Sequence, residues 1–546
     1  KWEKPLAKTK QAIKNEELEE IIQSRLLSNS HAILLALTPK PGMQAKQDKN
    51  QANTLAEIKS FLSETQKDSL IGATKDLIAY QRAGNDPEDL KKMPLLELDE
   101  INEEAKYFEI DETKVHGIKE LAYNTFTNNI LYSKFLFNAN VLEKEQLSYM
   151  RLLSTLLGDM NTENDTFGEL NNELNASLGG FSTSLRTYLK NHNDEEMSAH
   201  FVVNNKVLNS EVDELFKLTD EILNHSVIDD KERLKTLLTK HQSQLEAFAR
   251  RNGIALALTR LSSYYSNEGK FNELTRGYTY YSVITDLIEN YDQKYDELVM
   301  ELQKISELLF TKDNMTTYIA CDDEDLDAYN DGLKDFVQQF PEQNVERHAW
   351  EFDFENKNEG ILTPSKVQYV TKGYNFKKLG YEYNGKIEVL NQILSREWLN
   401  NQIRVIGGAY GGFCRFSESG NFFFASYRDP NLTETIDNIN GSGKFLSEFD
   451  PSDYEMKRFI IGTISNMDQP LSPSREGNRA LNYHLTETTK EEVQATRDEV
   501  LSTTSEDIKE MAEFVNKIIN NSALCVYGNE EKLQSEKQLF KNLFTL

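Results

Sequence analysis

The sequence has few cysteines and no long apolar run. Its three cysteines, Cys321, Cys414 and Cys525, are odd in number and widely spaced, so neither a disulfide framework nor a zinc knuckle is indicated. A reducing compartment fits that pattern best. No apolar stretch approaches the ~20 residues of a membrane span, and no signal peptide is visible. We therefore expect a soluble protein with no membrane partner.

Positive charge is also scarce. The chain has 61 Lys and Arg against 89 Asp and Glu, a formal net charge of −28. We expect no nucleic-acid binding, because contacts with phosphate groups need clustered Lys and Arg side chains. The acidity has two open explanations: it keeps the chain soluble, or it forms an acidic chamber that attracts basic peptides.

The common catalytic signatures are missing too. None of the eight histidines lies in H-E-x-x-H or H-x-x-E-H, where two imidazoles one helical turn apart bind zinc. His192 and His200 flank a charged turn, NHNDEE, which is typical of solvated loops. No G-x-S-x-G elbow, P-loop or dinucleotide fingerprint occurs, and Cys414 has no sequence cue for an activating base. The sequence thus predicts no metal, nucleophile or cofactor site of its own.

What is present is a large, aromatic-rich globular chain, with 24 Tyr and 28 Phe in 546 residues. Residues 10–27 have helical spacing, and residues 31–38 (HAILLALT) predict a buried strand. Together, residues 1–40 are interpreted as the tail of an upstream domain. Residues 41–95 predict a helical hairpin that links two bodies and is ended by Asn85-Asp86-Pro87. Because the chain begins at Lys1 inside a helix pattern, we expect a fragment, a processed product or one subunit of a split protein.

The remainder predicts an α+β fold built from two duplicated domains, at 96–345 and 346–546. Strands are predicted for the first domain at 114–122, 129–138, 179–189, 198–207 and 316–321, with a helix capped by Ser210. Strands are predicted for the second at 367–374, 380–383, 421–427 and 523–527, and one opening at Gly407-Gly408. Amphipathic helices fill the spaces between them. The Gly-Gly pairs at 179–180 and 407–408 occupy matching places, which supports the duplication.

One loop carries candidate chemistry, RVIGGAYGG at 404–412. Arg404 and Tyr410 lie six residues apart across Gly407-Gly408, between a helix pattern and a strand pattern. In one interpretation the loop is only a tight junction, with unusual φ angles at glycine and Arg404 at a helix C-terminus. In the other, Arg404 and Tyr410 donate hydrogen bonds to a peptide carbonyl and to the oxyanion it becomes, which needs a metal-bound water from elsewhere.

Three stretches together carry a resemblance to a known family: RVIGGAYGG at 404–412, SGNFFFASYRDPN at 419–431 and MDQPLSPS at 467–474. In the second of them, Asp429 is a candidate N-cap and Arg428 a candidate salt-bridge partner. The chain resembles the C-terminal half of the presequence protease group, a branch (subgroup C of family M16) of the pitrilysin/insulinase-like zinc metallopeptidases. SHAILLALTPKPG at 30–42 is similar to the last strand of the family's N-terminal half, and the charged hairpin is similar to its interdomain linker.

The resemblance implies two halves, each of two α+β domains, that close around an unfolded peptide. It implies zinc on an N-terminal half that carries H-x-x-E-H, which this chain lacks, so the chain alone is expected to be inactive. Arg404 and Tyr410 match the family's substrate-binding and transition-state residues, with Gly407 and Gly408 shaping the loop. The implied partners are the N-terminal half and unfolded peptides, in bacteria or in organelles. A non-catalytic peptide-binding or structural subunit is the alternative.

Overall fold

The computed structural model describes residues 3–38, 40–83, 87–90, 92 and 94–546. The chain divides into two units, Lys1–Ala83 and Gly84–Leu546, here called the N-terminal and C-terminal units. Two six-stranded sheets lie in the C-terminal unit, and the described part of the N-terminal unit is helical. This mixture of helices and sheets confirms the predicted α+β class.

The N-terminal unit consists of helices, with a π-helical segment at Ile22–Leu27. The helices are α1 Glu3–Lys14, α2 Glu17–Ile21, α3 Met43–Phe61 and α4 Glu64–Arg82. The last two coincide with the two helices predicted for residues 41–95. Helix α4 begins sharply because Ser63 and Gln66 form a capping box, in which each side chain satisfies the other's backbone N–H. The predicted stop at Asn85-Asp86 lies outside the described residues.

The buried strand predicted for residues 31–38 is wrong. This stretch forms no strand, and its large apolar side chains are exposed: Ile33, Leu34, Leu35 and Leu37 are 77–97% accessible. A strand needs a neighbour to pair its backbone N–H and C=O groups, and no described residue pairs with this segment. The sequence pattern identifies an apolar segment correctly, but it does not show whether a neighbouring strand is present to pair with it.

The first part of the C-terminal unit holds one sheet and its helices, apart from short 3-10 turns. The strands are β1 Asp111–Val115, β2 Ile118–Asn124, β3 Ile130–Asn138, β4 Leu178–Leu189, β5 Met197–Leu208 and β6 Met315–Cys321. The helices are α5 Pro87–Leu90, α6 Leu147–Leu156, α7 Phe167–Ser177, α8 Val212–Asn224, α9 Lys231–Arg251, α10 Gly253–Ser262, α11 Asn267–Arg276, α12 Tyr278–Glu289, α13 Tyr291–Leu309 and α14 Asp323–Phe336.

The second part holds the other sheet and a π-helical segment at Leu394–Ile406. The strands are β7 Asn358–Thr363, β8 Tyr369–Asn375, β9 Gly411–Phe416, β10 Asn421–Tyr427, β11 Ala523–Asn529 and β12 Asn542–Thr545. The helices are α15 Lys386–Ile393, α16 Thr433–Asn440, α17 Ser442–Ser447, α18 Asp453–Met467, α19 Pro473–Thr486, α20 Lys490–Leu501, α21 Ser505–Asn521 and α22 Glu530–Ser535.

The two sheets share one topology. Five strands run in the order β2-β6-β3-β5-β4 in the first sheet and β7-β11-β8-β10-β9 in the second. In both, the first pair is parallel and the others are antiparallel. Only the outermost strand differs: β1 is antiparallel to β2, whereas β12 is parallel to β7. The predicted duplication is therefore confirmed, with β4 and β9 at equivalent edges.

Several predicted elements need correction. The strand predicted at 114–122 is a hairpin, because His116 and Gly117 both have positive φ and reverse the chain between β1 and β2. No strand forms at 380–383. Ser210 is not a helix cap, since α8 begins at Val212 after Glu211, whose side chain makes no capping bond. Strands β7 and β12 and helices α14 and α19 were not predicted.

Each sheet is covered on one face by a helix that comes from the other part of the chain. Helix α10, from the first part, places Ile254, Ala257 and Leu261 in a core with the second sheet. Helix α19, from the second part, places Ala480 and Leu481 against the first sheet. The two sheet layers are thus joined by a reciprocal exchange of helices, and burial of these apolar side chains stabilises both.

Candidate functional site

The loop between Arg404 and Tyr410 follows the π-helical segment Leu394–Ile406 and leads into edge strand β9. The N–H groups of Gly407, Gly408 and Ala409 donate to the carbonyls of Gln402, Arg404 and Ile403, at 3.0–3.1 Å. These bonds satisfy the last carbonyl groups of the helix. The loop is therefore a hydrogen-bonded helix end of defined conformation.

Two glycines are required by the backbone path. Gly408 has φ +82°, a left-handed conformation that disfavours residues with a Cβ. At Gly412, on β9, a Cβ would lie 2.7 Å from the Leu399 carbonyl oxygen and from the Ile403 Cβ. The strand can therefore pass this close to the π-helical segment only because it carries glycine there.

The predicted donors, Arg404 and Tyr410, both project from this loop into solvent. Arg404 is exposed, and the Tyr410 side chain is 67% accessible. Neither side chain has a hydrogen bond or ion pair to any described residue, and no contact joins the two to each other. Tyr410 is anchored through its backbone instead, since its N–H donates to the Tyr427 carbonyl oxygen at 2.9 Å. Both side chains remain available for a ligand.

Residues 426–431 hold the Arg404–Tyr410 loop in place through a hydrogen bond and a buried carboxylate. The Asn431 amide donates to the Gly407 carbonyl oxygen at 2.7 Å. Asp429, which is fully buried, accepts bonds from the Asn431 N–H and the Thr435 hydroxyl. Burial raises the pKa of Asp429, and these hydrogen bonds oppose that rise. The predicted N-cap role of Asp429 is wrong, because α16 begins only at Thr433 and its N-cap is Leu432.

Arg428 is a neighbour of Tyr410 that the sequence did not predict. Its guanidinium carbon lies 5.5 Å from the centre of the Tyr410 ring and 5.9 Å from that of Tyr427, within cation–π range. A hydrogen bond to Tyr369 raises the pKa of Arg428, and the phenol of Tyr427 adds to that effect. Arg428 makes no ion pair with any described carboxylate, contrary to the predicted salt bridge. Its φ of +49° is rare for a non-glycine residue.

The motif S-Y-R-D-P-N contains the residues that contact the loop, but which loop residues they contact is set by the tertiary structure. Asn431 and Arg428 act on residues about 20 positions earlier in the chain, through the pairing of β9 with β10. The structure thus brings Arg428 to Tyr410 and Asn431 to Gly407. The sequence alone does not show which residues of β9 and β10 lie side by side, so it does not identify these contacts.

The described residues hold no group of three or more His, Cys, Asp or Glu side chains that could bind a metal ion. His192 contacts Glu418 at 3.0 Å, and His200 is half-buried on β5, with its pKa lowered to about 4 by loss of solvation and by the nearby Arg347. The three cysteines are buried, and burial raises the pKa of Cys414 to about 12. No helix among the described residues has the length and apolar character to cross a membrane.

Two family models match the chain: one described as associated with the peptidases of family M16, subgroup C, over residues 37–287, and one described as the PreP C-terminal domain, over residues 358–527. A protein HypA of Clostridium perfringens is 33% identical over 99% of this chain and 56% of its own length. Presequence protease 1 (chloroplastic/mitochondrial) of Arabidopsis thaliana is 29% identical over 100% of this chain and 51% of its own length. The chain thus spans about half the length of these curated relatives.

A solved structure shares the fold. The crystal structure of a peptidase M16 inactive domain from Pseudomonas fluorescens superposes with a TM-score of 0.54 at 14% identity. The match covers 77% of this chain and 98% of that chain. At this identity the likeness concerns the fold alone.

Proposed function

Because the chain is a presequence-protease-like protein of peptidase family M16, subgroup C, we propose that it is the substrate-binding half of a zinc metalloendopeptidase that degrades short unfolded peptides. In this proposal Arg404 and Tyr410 donate hydrogen bonds to the scissile peptide, and Gly407 and Gly408 shape the loop that carries them. An N-terminal half with the inverted zinc motif is the partner, in the same polypeptide or as a separate chain.

The observation that carries the proposal is a pair of exposed donors on one hydrogen-bonded loop, neither of which donates a hydrogen bond to a described residue. A guanidinium stays charged at all physiological pH values, and a phenol is a neutral donor. Both suit a carbonyl oxygen that becomes negative during peptide hydrolysis, because hydrogen bonds to the oxyanion are stronger than those to the carbonyl. The fixed loop backbone reduces the reorganisation needed when the charge develops.

Zinc is not assigned to this chain. The described residues offer no cluster of ligands that fits it, so the metal chemistry is expected on the partner half. When bound there, zinc would supply the activated water. The residues of this chain bind and orient the peptide and donate hydrogen bonds to it.

The decisive experiment joins this chain to a zinc-bearing N-terminal half and follows cleavage of an unfolded peptide. We expect Tyr410→Phe, which removes only the hydroxyl, to lower kcat/KM on the order of 10²-fold, mainly through kcat. Arg404→Ala should lower kcat/KM as well and also raise KM. Arg396→Ala is the matched control, because Arg396 is an exposed arginine on the same π-helical segment.

Unchanged kcat/KM in both loop variants would show that the assigned roles are wrong. The alternative function, a non-catalytic peptide-binding or structural subunit, gives another result. The joined protein would then bind the peptide, with Arg404→Ala weakening that binding, but no cleavage would appear at any zinc concentration.

A further inference from the structure

A pocket of about 300 Å³ opens on the face of the first sheet that α19 covers, and its lining contains no acidic residue. In a chain with 89 Asp and Glu, a pocket with basic but no acidic side chains in its lining is unusual. Two lysines, Lys134 on β3 and Lys206 on β5, lie in the lining together with Tyr318 on β6. The pocket is on the other sheet from the Arg404–Tyr410 loop.

Lys134 lacks a counter-ion. Its ammonium donates to the Asn204 side-chain oxygen at 3.0 Å and pairs with no described carboxylate. Burial and the nearby Arg186 lower the pKa of Lys134 to about 8. Lys206 also has no ion pair among the described residues, and its ammonium lies 5.7 Å from the centre of the Tyr132 ring. Lys206 is exposed, whereas Lys134 is half-buried. A half-buried ammonium without an anion is costly, and an anionic ligand would offset that cost.

The Tyr318 hydroxyl is a second, independent feature of the pocket. Tyr318 is 1% exposed, and its hydroxyl has no hydrogen-bond partner among the described residues. It lies against Gly477 of α19, where a methyl group would come within 2.1 Å of the oxygen. A buried hydroxyl without a partner is unfavourable, so a ligand that supplies an acceptor oxygen would satisfy it.

Helix α19 completes the pocket. Ser474 lies in its first turn and Asn478 one turn later, and both line the pocket. The N-terminal end of a 14-residue helix carries partial positive charge, which favours an anion. The lysine ammonium groups, the phenol and the helix end therefore all favour the same kind of ligand.

We propose that this pocket binds the C-terminal carboxylate of a peptide. The identification of a peptide rests on the proposed function, whereas the preference for an anion follows from the pocket itself. Tyr132 and Phe181 line the pocket beside the lysines, so the last side chain of the peptide can pack on aromatic rings. A dianionic phosphate is disfavoured relative to a single carboxylate, because the net charge of −28 repels it more strongly.

The pocket can be tested on the 546-residue chain with N-acetylphenylalanine, which mimics a peptide C-terminus, and with its amide, which lacks the charge. We expect titration calorimetry to show the acid binding at least about tenfold more tightly than the amide. Bound acid should also protect Lys134 from an acylating reagent, read by mass spectrometry. Equal binding of acid and amide would overturn the proposal, and so would tighter binding of inorganic phosphate.

Three variants locate the binding. Lys134→Met and Tyr318→Phe should each weaken binding of the acid roughly tenfold and leave the weak binding of the amide unchanged. Lys114→Met is the matched control, because Lys114 is an exposed lysine at the opposite edge of the same sheet. Tyr318→Phe removes only an unpartnered hydroxyl, so this variant should fold even if Lys134→Met does not. Acid binding unchanged in Tyr318→Phe would contradict the assignment.

The two proposals fail separately. Arg404→Ala and Tyr410→Phe should leave binding of N-acetylphenylalanine unchanged, because neither residue lines the pocket. If cleavage by the joined enzyme is insensitive to the loop variants while the acid still binds at Lys134, the proposed function fails and the anion pocket stands. If loop variants impair cleavage but C-terminal amidation of the substrate leaves KM unchanged, the pocket proposal fails alone.

Discussion

Gly408 determines how the Arg404–Tyr410 loop is presented. Its φ of +82° turns the chain from the end of the π-helical segment toward β9, and its N–H still reaches the Arg404 carbonyl. A residue with a Cβ is strained in this region whatever space surrounds it. The orientation of Tyr410 therefore depends on a residue that itself has no functional group.

We predict that Gly408→Ala lowers the free energy of unfolding by about 1–2 kcal/mol, the cost of a left-handed conformation at a residue with a Cβ. Urea unfolding followed by fluorescence measures this. Gly72→Ala in α4 is the control with the opposite sign, because Gly72 is helical with open space around its Cβ position and should gain about 0.5–1 kcal/mol. A Gly408→Ala protein as stable as the parent would contradict the strained geometry.

At the residue scale, the sequence identified the loop but not its supports. Arg404 and Tyr410 stand out through their spacing across two glycines and through a family resemblance, and their roles remain proposals. Arg428 and Asn431 are visible in the same motif, yet their contacts with Tyr410 and Gly407 arise from strand pairing. Such contacts join residues that are distant in sequence, so composition and spacing do not reveal them.

At the scale of elements, a buried ion network joins α10 and α11 to β7. Arg260 bonds Glu359 at 2.7 Å and Glu273 at 3.0 Å, and all three side chains are largely buried. The Tyr264 hydroxyl also donates to Glu359 at 2.8 Å. Burial alone would raise the pKa of Glu359, but the hydrogen bond and charge of Arg260 hold the pKa below its ordinary value. The network thus fixes α10 over the second sheet.

Arg260→Met should destabilise the fold by about 3–5 kcal/mol near neutral pH, because Glu273 loses its ion-pair partner and Glu359 keeps only its longer contact with Lys357, at 3.4 Å. The difference should shrink in acid. In the parent, the lowered pKa of Glu359 means that its contribution to stability is lost as pH falls through that value. In the variant the strongest contact that opposes burial is gone, so the pKa of Glu359 rises above its value in the parent. Protonation then relieves part of the buried charge.

Unfolding free energies at about pH 7 and about pH 4 would show this convergence. Arg250→Met is the matched control, since Arg250 forms an exposed pair with Glu246 on the neighbouring α9 and should change stability by less than about 0.5 kcal/mol. A constant difference between parent and Arg260→Met at the two pH values would exclude the proposed charge relief.

Most elements could be predicted from hydrophobic periodicity, and the failures have specific causes. Residues 31–38 have a strand pattern, but a strand exists only with a neighbour. Residues 114–122 have the pattern of one strand, although a turn at His116-Gly117 divides them. Asn-Gly or Asp-Gly is the usual signal for such a two-residue turn, and His-Gly is not. Helix α19 escapes prediction because its start, Pro473-Ser474, is also a turn signal.

At the scale of the whole molecule, the reciprocal exchange of α10 and α19 makes each sheet depend on the other part of the chain. The predicted domain 96–345 contains α10 but not the sheet that α10 covers. It also lacks α19, so Leu121, Leu136 and Val202 on the first sheet would lose their cover. Each large apolar side chain exposed in this way costs about 1.5–3 kcal/mol.

We predict that residues 96–345 produced alone associate and bind a hydrophobic dye, whereas the full chain does neither. Size-exclusion chromatography and dye fluorescence provide the readouts. Co-production with residues 346–546 should restore a discrete complex, because each part then supplies the helix that the other needs. A monomeric 96–345 fragment that unfolds cooperatively without binding dye would show that the exchange is dispensable.

The same exchange of helices determines when each sheet can be covered during synthesis on the ribosome. Helix α10 leaves the exit tunnel long before β11, at 523–529, which forms part of the surface that α10 covers. At about 5–20 residues per second, that wait lasts on the order of tens of seconds. During it, the apolar face of α10 that packs on the second sheet stays exposed. The face of the first sheet that α19 covers is likewise exposed until residues 473–486 have emerged. Nascent chains of this protein should therefore depend on chaperones during translation more than two independently folding domains of equal size would.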